Sequence, residues 1–167
     1  MSDVLNFRGG AIALTNGLLV AGTTSSLTTT VTIVPVLDGK FTTQLTAITN
    51  QAHPTTDFNT AAAFPTMVGG NSVANTPGQG CVVVYGLSAG VVKAVQGPIA
   101  ALDMQNAFKQ DAPQFPTIPA NFVPFAYVVM KARATDGVSI IVGTTAWASF
   151  AQTFVNIAQV PSRPQVS

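Results

Sequence analysis

A chain of 167 residues is long enough for one domain with a real core, but only 8% of these residues are charged and the net charge is +1, against roughly 25% charged residues in ordinary soluble domains. Near-neutral charge without a basic cluster excludes the electrostatic footprint of nucleic-acid binding. No stretch approaches the ~20 apolar residues of a spanning helix, and a single cysteine leaves no internal disulfide, so the chain is expected to be soluble and to fold in the cytoplasm.

Glutamate is absent, while Thr, Val, Ala and Gly are abundant. That removes a good helix former and favours strands. Residues 1–10 read as an N-terminal arm ending in Gly9-Gly10. Ala11 to Leu14 and Leu18 to Ala21 flank Asn16-Gly17, a two-residue hairpin signal. Leu27 to Leu37 reads as a second strand that turns at Asp38-Gly39 and returns through Phe41 to Ile48. Pro35 places that strand near an edge or a bulge.

Residues 49–80 form a long connection punctuated by His53-Pro54, Phe64-Pro65, Gly69-Gly70 and Pro77-Gly78, with a brief helix expected near Asp57 to Ala63. A connection of this length is often functional or interfacial. Cys81 to Tyr85 and Val91 to Gln96 form a hairpin around Ala89-Gly90. Ile99 to Lys109 fits a short helix or extended chain equally.

Pro116, Pro119 and Pro124 then lead into Phe125 to Ala132, which is apolar on both alternating faces and reads as a strand covered on both sides. Asp136-Gly137 offers a turn into a partner strand, Val138 to Val142. Trp147, Phe150 and Phe154 suit one helical turn followed by a final strand. Residues 161–167 are a proline-punctuated tail. The expected architecture is a single all-β domain, a β-sandwich or jelly-roll-like core over 11–160, with about eight strands in hairpins and extended arms at both ends.

Chemistry is sparse. Gly86-Leu87-Ser88-Ala89-Gly90 matches the G-x-S-x-G nucleophile elbow, but the elbow needs a helix next and Val91 to Val95 is strand material. The only histidine, His53, precedes Ser88, whereas such hydrolases order the triad Ser, acid, His. Ser88 therefore reads as part of a β-turn. His53 with Asp57 falls short of the three or four ligands of a metal site, so no metal or cofactor is expected, and no catalytic residue. Cys81 reads as a small core residue. Phe115, Phe122, Phe125, Trp147 and Phe150 are candidates for a binding face, with core or protein interface the plainer reading.

Thr28 to Phe41 (TTTVTIVPVLDGKF), Gly80 to Gly97 (GCVVVYGLSAGVVKAVQG) and Pro116 to Pro161 together resemble a family of tailed-bacteriophage structural proteins. Its members show a Thr-rich strand into an I-D-G-K turn, a "G…V…G.V…QG" block, and a "P.lP…vP.gYvvvk" block followed by "GtTa" and "tfvni". The chain departs from it in Val36-Leu37 before Asp38-Gly39 and in a longer Thr/Asn/Ala region between the later blocks. The resemblance implies a non-enzymatic virion component: a capsid decoration (cement) protein, a homo-oligomer with a trimer favoured, bound to the major capsid protein on the capsid surface. The alternative is a head or tail fibre base that meets a host carbohydrate; a Ser88-dependent hydrolase is a third reading.

Overall fold

The computed structural model describes residues 11–15, 17–109, 113–135 and 137–158. The arms at 1–10 and 161–167 lie outside these residues, as do Asn16, Asp111 and Asp136. Eleven strands are formed among the described residues: β1 (Ala11–Thr15), β2 (Leu19–Ala21), β3 (Leu27–Thr29), β4 (Val34–Leu37), β5 (Lys40–Phe41), β6 (Ile48–Gln51), β7 (Gln79–Ser88), β8 (Val91–Gln96), β9 (Ala100–Ala101), β10 (Val123–Ala132) and β11 (Ala151–Asn156). The domain is all-β and sandwich-like.

The central sheet has the order β11-β10-β7-β8, with β9 on a further stretch of β7. Its middle strands are apolar on both faces because both faces are covered. On one side Cys81, Val83, Tyr85, Val128 and Met130 join the larger core; on the other Val82, Val84, Tyr127 and Val129 build a smaller one. Nearly every residue of β7 and β10 is buried. Each Val side chain removed from water contributes about 1.5–3 kcal/mol, so these two strands anchor the fold.

Two three-stranded sheets, β1-β4-β5 and β2-β3-β6, supply Ala13, Leu19 and Leu27 to the larger core. Among the described residues no second sheet covers the opposite face. Phe58, Phe108, Phe115 and Ile118 pack there from the long connections.

Hairpins form at Asp38-Gly39 and Ala89-Gly90. In both, two successive residues take positive φ (51° and 74°; 51° and 76°), the backbone of a tight hairpin turn that matches strand twist. Two other expected hairpins do not form. β1 pairs with β4 and β2 with β3, so the chain at Gly17 crosses between sheets. Val138 to Val142 does not return beside β10; it makes one bridge, Ile140 to Met67, because β7 and β11 already occupy both edges of β10. Leu27 to Leu37 is likewise two strands in different sheets.

The brief helix expected near 57–63 is a set of turns with an isolated bridge, and 99–109, open between helix and extended chain, takes the extended form with the short strand β9 and one bridge. Phe58 N and Gln96 N bond across the β8 edge, while Leu102 N is held by the Gly78 carbonyl, so both segments follow neighbours rather than their own helical bonds. The helical turn expected there is present as a 3-10 turn, Trp147–Ser149, directly before β11.

Candidate functional site

The polar centre of the molecule lies where the long connection meets the central sheet. His53 is 6% exposed. Its Nδ1 lies 2.5 Å from the Pro54 carbonyl, and its Nε2 2.5 Å from the Tyr85 hydroxyl. A carbonyl only accepts, so Nδ1 carries the proton, Nε2 accepts, and Tyr85 donates. Tyr85 and Trp147 pack against the imidazole at 5.2 and 5.8 Å between ring centres.

Desolvation by burial lowers the His53 pKa to about 4, partly offset by the bond to Pro54. Burial first, and the neighbouring Cys81 second, push Tyr85 well above the usual phenol value. Burial also pushes the Cys81 thiol up. The cluster is thus neutral, dry and mutually satisfied. It ties the loop at His53 to β7 through the Tyr85 hydroxyl.

Asp57 is buried as well. Its Oδ1 accepts from Asn59 N and Thr60 N, and its Oδ2 from Gln96 N at 2.7 Å. With Phe58 N donating to the Ala94 carbonyl, the segment seals part of the outer edge of β8. Among the described residues no group of three or more His, Cys, Asp or Glu could hold a metal. Ser88 ends β7 opposite Val91. The strand that follows replaces the elbow's helix, and the one imidazole is engaged by Tyr85.

The candidate aromatic face is corrected by burial. Phe122, Phe125, Trp147 and Phe150 sit inside the chain's own core. Phe115 is half-buried, edge-on against Tyr127 at 5.0 Å. Phe125 lies in a strand covered on both faces, and the Trp147 Nε1 donates to the Ser26 carbonyl at 2.7 Å. The rings of Phe122, Phe125, Trp147 and Phe150 are thus withdrawn from the surface.

Several large apolar side chains elsewhere are exposed. Leu14, Leu18, Val20 and Val31 stand out around the β1–β2 crossing, and Phe41 and Val91 near the two hairpins. Thr43 packs beside Gly90, which brings those hairpins together. The sequence signal was available: no charged residue occurs between Gly9 and Leu37. Two clefts lie on the described surface. One of about 330 Å³ is lined by Lys131, Arg133, Gln105 and Gln152; an open one of about 660 Å³ is walled by Pro65, Pro98 and Pro116 beside Gln96.

No family model, curated protein or solved structure matches the chain.

Proposed function

We propose that the chain is a bacteriophage capsid decoration protein. It binds the outside of the major capsid shell as a homo-oligomer, with a trimer favoured, and bridges neighbouring shell subunits by contact alone. The observation that carries this reading is the set of exposed apolar side chains on an almost uncharged all-β surface. Leu14, Leu18, Phe41 and Val91 are each more than two-fifths exposed. Isolated exposed apolar residues are ordinary, and it is their number on a surface with so few charges that suits protein contact. Affinity across a shell comes from buried area and multivalency, for which few charges need to be desolvated.

The three sequence blocks that resemble tailed-phage structural proteins support the same reading, and two of them form the Asp38-Gly39 and Ala89-Gly90 hairpins. The sealed state of His53 and the strand after Ser88 give the hydrolase reading no support. The test is the copy number of this chain in purified particles relative to the major shell subunit. Comparable numbers are expected. A handful of copies would move the chain to a fibre or tail position, and absence from particles would overturn the reading.

A further inference from the structure

We propose that His53 is an acid-operated latch: when its ring takes up a proton, residues 52–66 lift from the central sheet and uncover the β8 edge. Few anchors hold this segment. Most of its residues are exposed, and only His53, Asp57 and Phe64 are buried. A stretch with so few buried side chains opens at lower cost than the sheet beneath it, where nearly every residue of β7 and β10 is buried.

Both ring nitrogens of His53 are engaged as only a neutral imidazole allows. Nδ1 donates to the Pro54 carbonyl of the segment itself, and Nε2 accepts from the Tyr85 hydroxyl of β7. A second ring proton makes Nε2 a donor facing a donor, and places a charge among the rings of Phe64, Tyr85 and Trp147. The groups that face the segment supply no counter-charge. Tyr85 and Cys81 of β7 are held neutral by burial. Lys93 of β8, over the Phe58 ring at 5.9 Å, carries the same sign. The stretch from Gly143, which lies against His53, through Trp147 has no charged residue. Asp57, on the segment, is engaged by Asn59 N, Thr60 N and Gln96 N. A buried unpaired charge is costly, and lifting the segment returns the ring to water.

Two backbone bonds report the release. Phe58 N donates to the Ala94 carbonyl, and Gln96 N to Asp57 Oδ2, so the lift frees groups along β8, the terminal strand of the central sheet. An edge opened in this way can pair with another strand. The ladders joining β8, β7 and β10 do not pass through the segment, so the sheet stays paired.

The latch does not rest on the virion reading, and its test needs no particles. Hydrogen exchange of the full chain is followed from pH 7 to pH 4, each rate being divided by that of the unstructured amide at the same pH. Opening at Phe58 and Gln96 is expected to rise by up to about 300-fold between 6.5 and about 4, the ordinary and folded His53 values. It should be insensitive to low urea, since a local opening exposes little surface. Val83 and Tyr127, in β7 and β10, should exchange at least tenfold more slowly at every pH and should respond to urea. His53→Gln should remove the acid response at Phe58 and Gln96. Tyr85→Phe, which keeps the imidazole, should speed the same two amides at pH 7, and it reads the latch should the glutamine variant fail to fold. Equal rates and urea response at all four amides would show that acid unfolds the domain as a whole. An acid response retained in His53→Gln, or exchange unchanged in Tyr85→Phe, would assign the opening to another group; each of these outcomes overturns the latch.

Discussion

The Nε2 of His53 accepts a hydrogen bond from the Tyr85 hydroxyl at 2.5 Å, joining a loop residue to the middle of β7 across 32 positions of sequence. This bond exists only while the imidazole is neutral, because a protonated ring has no acceptor.

Acid sensitivity follows. The folded His53 pKa is about 4 against an ordinary 6.5. As pH falls through 6.5, the unfolded chain binds a proton that the folded chain refuses. The contribution to stability is complete above about 6.5, declines as pH falls, and is spent below about 4. The shift is equivalent to ~3 kcal/mol over that window. His53 is the only histidine, so a urea midpoint that drops between pH 7 and pH 5 has one principal source among the side chains. His53→Gln should flatten that slope; an unchanged slope would disprove the assignment.

Tyr85→Phe removes the donor and leaves the buried Nε2 acceptor unpaired. The expected loss is ~1–3 kcal/mol, the usual penalty for an orphaned buried polar group. Because the two side chains share one bond, a double-mutant cycle with His53→Gln should show coupling well above zero. Additive effects in chemical denaturation would mean that the bond contributes nothing to stability.

Two glycines separate space from backbone conformation. A Cβ on Gly78 would collide with the Ala132 carbonyl at the entry to β7, whereas Gly137 has open surroundings and a φ of 64°. Gly78→Ala must push two backbones apart, at ~1–3 kcal/mol or more by analogy with overpacking. Gly137→Ala meets only the left-handed penalty of about 1 kcal/mol. Melting temperatures should fall in that order, and the reverse order would refute the close approach.

Local sequence specified turns better than partners. Asp38-Gly39 and Ala89-Gly90 make the expected hairpins, where two positive-φ residues coincide with flanking strands that pair with each other. Asn16-Gly17 carries as strong a dipeptide, yet the flanking strands enter different sheets, and no local rule states whether two flanks pair. β10 was recognised as a strand covered on both faces, but its partners β7 and β11 were set by packing at long range. The same limit applied to the candidate face. The aromatic residues are visible by type, but only the fold puts four of them in the core, while the exposed aliphatic residues look like ordinary strand material in the sequence. His53 was placed correctly in a loop. Its burial against Tyr85 had no signal in the sequence around it.

Asp57 makes the remaining prediction. Strand edges invite pairing with other chains, and the Asp57 carboxylate covers one by accepting from Gln96 N while its other oxygen holds Asn59 N and Thr60 N. In Asp57→Asn one oxygen becomes an amide NH₂. If the amide oxygen stays on the turn, a donor faces the Gln96 N–H; if it flips, the turn loses its acceptor. Either way a buried donor is left unmet, at ~1–3 kcal/mol. Hydrogen exchange should then accelerate at Gln96 or at Asn59 and Thr60, ahead of the β7 and β10 amides. Aggregation should also increase, because the β8 edge opens before the core does. Uniform acceleration across the sheet would show that Asp57 supports the whole domain and does not guard that edge.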